Sequence, residues 1–511
     1  GPPTPSGGGN ARKTAAIATA IVLATAAIVT GIAAASPDRA DDPPPGAERI
    51  PDRRTPPPSA PDAGTGAGGG SPPPSSAGPA TEHPSAWSAD VVDLVAFIQE
   101  ERSLTFEHPV EVVLLSEDDY IAESGGQDDG SLGYYDGQRV VGRGTEMNPA
   151  LEGTLVHELT HALDDQHFDI FAIDTREGVT REEVIAYGGL VEGDAIRMEF
   201  AFDQMQIEDE GVDPEATEDP PLVEPGGDPS GGEPGSGQTT TTAGSHGTAP
   251  RLDPAAAPPR RAEYGTEIPS LRDAIDESPY FIGEQLLDML VHDGGNAAVD
   301  AAFHDPPTTT EQVLDPRAYL DRNEPVAVDE PVPADAAGRP TPGRSAGALN
   351  MYLLLAAGLD PITALDAATG WGGESAVTYE GAGGLACTDV AAVGDTDTDT
   401  AEIGEAFAAW AQSGVAASAT TSRRADGALV LTACDIGGGE GDVATDPYDA
   451  LVVALQRGGY AWNAMEYSGM DAHEAFEFGD CVVHEVSVET LVSPEVTGEG
   501  ESEIDAATSS C

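Results

Sequence analysis

Asn148-Pro149-Ala150-Leu151-Glu152-Gly153-Thr154-Leu155-Val156-His157-Glu158-Leu159-Thr160-His161-Ala162-Leu163 is the stretch from which the rest of the chain is read. Asn148 is a helix-capping side chain and Pro149 suits the first helical position, so a helix is expected to start here. Leu151, Leu155, Leu159 and Leu163 recur every fourth residue and predict a buried stripe. His157 and His161 are also four apart and therefore share one helix face, where both imidazoles can reach one ion while Glu158 points at a water on it. This is the His-Glu-x-x-His pattern of a hydrolytic zinc site. The bland alternative is a surface helix with two ordinary histidines.

A hydrolytic zinc takes three protein ligands and leaves one position for water, so a third group is needed. One candidate is Glu192, in Leu190-Val191-Glu192-Gly193-Asp194-Ala195, within a helical stretch over about 181–202 that also carries Val184, Ile185, Ile196 and Phe200. A carboxylate among apolar neighbours is costly unless it meets a cation. Gly188, Gly189 and Gly193 would let this helix approach the histidine helix closely, and Asp194 is a candidate acceptor fixing the tautomer of a ligating histidine. The other candidate is His167, ten positions after His157. That reading needs a sharp turn at Asp164, where glycine is the usual residue, and Asp164-Asp165-Gln166 reads better as continuing helix.

With these residues in view, the chain resembles the gluzincin metallopeptidases, whose zinc is held by two histidines and a downstream glutamate. The resemblance implies an α+β fold, mainly helical with a small β-sheet. Tyr280-Phe281-Ile282-Gly283, followed by Leu286, Leu287, Met289 and Leu290, is similar to the helix of aminopeptidase-N-like gluzincins that carries a catalytic tyrosine, which implies that Tyr280 donates to an oxyanion. A tyrosine merely anchoring an amphipathic helix is the alternative. The wording His-Glu-Leu-Thr-His-Ala-Leu, with Asp165-Gln166-His167-Phe168, also resembles a group of exported bacterial proteins described only as peptidase-like. Gly144-Thr145-Glu146-Met147-Asn148 departs from the aminopeptidase element that captures a substrate amino terminus, so exopeptidase action is not supported.

Composition narrows the partners. The 90 acidic against 23 basic residues give a net charge of −67, with Lys13 the only lysine. Such a surface stays hydrated in strong salt and repels phosphate backbones, which argues for a saline habitat and against nucleic acid. Residues 1–13 are expected to be a cytoplasmic stub. Residues 14–35 are uncharged and mostly apolar behind Arg12 and Lys13, which reads as a transmembrane anchor with the remainder outside. Ala33-Ala34-Ala35 allows a cleaved signal instead.

Residues 36–86 are a Pro, Gly, Ala and Ser spacer, and 207–262 a second such tract read as an insertion into a catalytic domain over 87–380. Before the zinc helix, a helix is expected over 89–100, a strand over 109–115, and a hairpin over 132–141 turning at Asp136-Gly137. In gluzincins such a strand forms the edge along which a peptide lies. Helices follow over 346–357 and 361–369.

Residues 381–511 are expected as a small disulfide-stapled α/β unit. Cys387, Cys434, Cys481 and Cys511 allow three pairings, the most local being Cys387 with Cys434 and Cys481 with Cys511. Asp395-Thr396-Asp397-Thr398-Asp399 lacks the glycine and glutamate of a calcium loop and reads as helix-capping acids. A helix over 448–456 and a strand over 482–488 complete the tail. The expected protein is an exported zinc metallopeptidase acting on peptide substrates. The alternatives are a non-catalytic surface binding protein and a zinc hydrolase of another substrate class.

Overall fold

The computed structural model describes residues 83–124, 131–209, 271–333, 336, 339–343, 347–493, 496 and 498–511. The expected stub, anchor, most of the first spacer and nearly all of the second tract lie outside these residues. Among the described residues, no helix is long and apolar enough to cross a membrane. The chain divides into one compact unit of residues 1–203 and 261–511 and another of 204–260. Of the second, only the last turns of one helix are described.

The fold is α+β. Helix α1 (Val92–Arg102) leads into β1 (Glu111–Leu115) and α2 (Glu117–Glu123), and then into β2 (Gly133–Tyr135) and β3 (Arg139–Arg143). These strands form a sheet in the order β1-β3-β2, with β1 parallel and β2 antiparallel to β3. The hairpin pairs Tyr135 with Val140 and closes with Asp136 N–H donating to Arg139 O, so its two-residue loop is Gly137-Gln138, one place beyond the expected turn. Asp136 does not occupy the loop because its carboxylate instead accepts from the backbone N–H groups of Gln138 and Arg139.

Helix α3 (Pro149–Phe168) follows, capped as its sequence predicts: the Asn148 side chain accepts from Leu151 N and Pro149 occupies the first turn. Its leucine stripe is buried against α1, β3 and Met198 and Phe202 of the later helix, in one of the two hydrophobic cores among the described residues. The helix does not break at Asp164; it runs on to Phe168 and stops where Asp169 takes a left-handed conformation.

After the short α4 (Ala172–Thr175) comes α5 (Arg181–Asp209), then α6 (Leu271–Glu277), α7 (Pro279–Gly294) and α8 (Asn296–His304). The glycines of α5 do not face α3: Gly188 and Gly193 serve α7, and a Cβ on Gly189 would lie 2.7 Å from Val313. A Cβ on Gly193 would lie 2.7 Å from the Gly283 carbonyl oxygen and 2.6 Å from Leu287, and one on Gly188 would touch Pro279. Without side chains on either side, α5 and α7 cross nearly backbone to backbone.

Short helices α9 (Glu311–Leu314) and α10 (Pro316–Leu320) lead to β4 (Thr341–Pro342), α11 (Gly347–Ala356), α12 (Pro361–Thr369), β5 (Trp371–Glu380) and β6 (Ala386–Gly394). Then come α13 (Asp397–Ser413), β7 (Ala416–Arg423), β8 (Leu429–Ile436), α14 (Pro447–Asn463), α15 (Ala472–Glu485), α16 (Val488–Leu491) and α17 (Glu499–Ser510). Strands β4 to β8 form an antiparallel sheet in the order β4-β5-β6-β8-β7. The disulfides are Cys387–Cys434, between directly paired residues of β6 and β8, and Cys481–Cys511, tying α15 to the last residue. Thr396 caps α13 in a reciprocal box with Asp399, so those acids are helix caps.

Two expectations are corrected. The run 482–488 is not a strand: Phe476, Gly479, Val482 and Val483 share the buried face of α15, so helical spacing prevails over β-branched composition. Nor do residues 381–511 stand apart. Val390, Phe407, Leu451 and Phe476 belong to the same core as Leu190, Leu286 and Leu353, which fuses the C-terminal sheet and helices to α5 and α7.

Candidate metal centre

Helices α3 and α5 bring His157, His161 and Glu192 together. His157 Nε2 lies 3.1 Å from His161 Nε2 and 3.2 Å from Glu192 Oε2, and His161 Nε2 lies 3.4 Å from the same oxygen. Both histidines are 8 % exposed, and Glu192 is largely buried. Among the described residues, no other set of three His, Cys, Asp or Glu side chains converges in this way.

The donor set can be tested against an ion. Ligand atoms about 2.0–2.1 Å from a tetrahedral centre stand roughly 3.3 Å apart. The three separations here, 3.1, 3.2 and 3.4 Å, match that triangle. Two imidazole nitrogens facing one another beside a carboxylate also leave no arrangement of ring protons that satisfies all three contacts at once, whereas one cation does. The residues present therefore fit a metal ion.

The electrostatics agree. Burial disfavours the charged form of His157, yet hydrogen bonds to Glu192 and Glu199 overcome it and hold the imidazole well above its ordinary range. Burial likewise opposes ionisation of Glu192, but the charge of His161 and hydrogen bonds from both histidines hold the carboxyl well below its usual range. The pocket thus draws positive charge to this point, from protons where no metal is bound.

Glu158 projects from α3 towards β2. Its carboxylate accepts from the Tyr135 backbone N–H, while burial raises its pKa against the lowering influence of His157 and His161. Gly133 of β2 makes room for it: a Cβ there would lie 2.8 Å from Thr154 and 3.3 Å from Glu158 Cγ. Strand β2 is an edge strand, pairing only with β3 among the described residues, and Tyr135 OH donates to Asp165 at 3.0 Å, pinning that edge to α3.

Tyr280, in the first turn of α7, stacks over His157 with ring centroids 6.4 Å apart and is 40 % exposed. The charge of Glu192, then burial and Glu158, keep its phenol protonated far above the ordinary range. A neutral hydroxyl therefore stands beside the metal-ligand cluster as a donor.

His167 is elsewhere, its Nε2 2.9 Å from the Thr105 carbonyl oxygen. Asp194, expected to orient a histidine, is instead bonded to Arg102 at 2.6 Å and Arg197 at 2.8 Å, and Arg102 also reaches Asp300 at 2.7 Å. The reason is helical phase: two residues past Glu192, Asp194 faces α1 and α8. The acceptor for His157 Nδ1 is Glu199, at 3.2 Å. Sequence reasoning missed it, although Glu199 lies seven residues after Glu192 and thus on the same face of one helix. Compared with protein families, curated proteins and solved structures, the chain matches none.

Proposed function

We propose that this protein is a zinc-dependent metallopeptidase of gluzincin type, with His157, His161 and Glu192 as the metal ligands. The observation that carries the reading is the triangle of two imidazole nitrogens and one carboxylate oxygen, with Glu158 and Tyr280 beside it. A zinc ion held there would bring a coordinated water to near-neutral acidity and polarise a carbonyl group.

The chain's own residues supply the rest. Glu158, with its carboxylate oriented by Tyr135 N–H and its proton affinity raised by burial, takes the proton from the attacking water and passes it to the leaving amine. The Tyr280 phenol donates to the oxyanion of the tetrahedral intermediate. The outer edge of β2, which pairs with no other strand among the described residues and whose Tyr135 N–H serves Glu158, offers its remaining backbone groups to an extended peptide, which favours binding without strong side-chain preference.

Export belongs to the same proposal. It rests on the apolar run over 14–35, and the two disulfides support an oxidising compartment. The test is hydrolysis of an unfolded protein by wild type and Glu158→Ala, with zinc content measured alongside. The variant is expected to keep one zinc per chain and lose turnover. Undiminished turnover would refute the mechanism.

A further inference from the structure

We infer that Glu199 is the positioning residue of this metal centre, fixing the tautomer and ring orientation of His157; the inference rests on the metal reading above. The geometry is that of a rung between two posts. Glu192 and Glu199 stand two turns apart on one face of α5, and the His157 ring spans them, with Nε2 3.2 Å from Glu192 and Nδ1 3.2 Å from Glu199.

For His157 Nε2 to give its lone pair to a metal, the ring's proton must sit on Nδ1, and a carboxylate at that nitrogen favours this tautomer over the other. His161 has no such help: among the described residues its buried Nδ1 has no hydrogen-bond partner. The orientation of the pair therefore depends on the one ring that is held.

The approach of Glu199 is prepared on the opposite helix. Gly153 lies one turn before His157 on α3, and a Cβ there would stand 3.5 Å from Glu199 Oε1 and 3.2 Å from Asp203 Oδ1. The absence of a larger side chain lets the carboxylate face of α5 lie against α3. Asp203, one turn further along α5, shares this approach, and burial, with the Glu199 charge second, raises its carboxyl to about 6. The gap left by Gly153 thus places a carboxylate oxygen where His157 Nδ1 needs an acceptor.

The test compares zinc dissociation constants, by chelator competition, for wild type, Glu199→Ala and Glu199→Gln, together with ¹⁵N shifts of the histidine rings in the zinc-loaded full chain. Loss of a carboxylate partner to a ligating histidine typically weakens metal binding by about 10–100-fold. Glu199→Ala is expected to weaken binding by that order and to move the His157 ¹⁵N signals, with Glu199→Gln, which keeps an acceptor oxygen, lying closer to wild type. Wild-type affinity and unchanged His157 shifts in Glu199→Ala would overturn the inference. Equal weakening in both variants would also overturn it, by showing that charge alone matters. A wild type that takes up no zinc would sink the metal reading itself, a distinct result from either.

Discussion

Gly193 of α5 and Gly283 of α7 face each other at the crossing that places Tyr280 beside Glu192. Because a Cβ on Gly193 would lie 2.7 Å from the Gly283 carbonyl oxygen, the two helices cannot hold their present separation with a larger residue at this point. Gly283→Ala is expected to destabilise the protein by about 1–3 kcal/mol, the usual cost of overpacking, and to reduce turnover by moving α7 away from the metal ligands. Urea unfolding measures the first effect. An unchanged midpoint would contradict the packing described.

Tyr280→Phe separates the hydroxyl from the ring. The stacked ring is retained, so folding and zinc content should match wild type, while kcat should fall by about 10²–10³-fold, as for loss of one oxyanion donor. A kcat within a factor of about two of wild type would make Tyr280 only an anchor of α7.

Arg102 is fully buried with Asp194 and also pairs with Asp300, linking α1, α5 and α8 behind the metal ligands. Arg102→Leu removes one partner of a buried ion pair and should cost about 3–5 kcal/mol, since Asp194 is left in a dry site with Arg197 alone. Thermal unfolding provides the measure. A loss below about 1 kcal/mol would place this network among the weak, surface-like pairs.

A pH dependence follows from carboxyls outside the candidate centre. Burial raises Glu182 to about 7, Glu374 to about 8 and Glu311 to about 9, well above their values in an unfolded chain. Folding therefore takes up protons at these positions. The stability they contribute is complete below about pH 4.3 and declines as pH rises through the folded values, to be lost above about pH 9. The melting temperature should fall between pH 6 and pH 9, and Glu311→Gln should flatten that fall without lowering stability at pH 6. A melting temperature constant over this range would contradict the assignment.

What could be read from the chain beforehand divides along physical lines. His157, Glu158 and His161 follow from helix periodicity within one capped segment, and the structure reports the same cap and leucine stripe. Glu192 could be singled out because a carboxylate within an apolar helix demands a cation. The facing of α5 could not, since four-residue spacing states which residues share a face but not which neighbour that face meets. Hence Gly193 was expected against α3 and lies on α7, while Asp194 was expected at a histidine and lies on Arg102. The long strand β5 was hidden for another reason: Trp371-Gly372-Gly373 reads as a helix stop and loop, yet it pairs with β6 across a register shift. Glycine there accommodates the bulge.

The most direct measurement is zinc stoichiometry with X-ray absorption at the zinc edge, on the full chain and on Glu192→Ala and His167→Ala. One zinc per chain, two imidazole nitrogens and a carboxylate oxygen in its first shell, loss of the ion in Glu192→Ala and its retention in His167→Ala are the predicted results. Full zinc occupancy in Glu192→Ala, or loss of the ion in His167→Ala, would contradict the account.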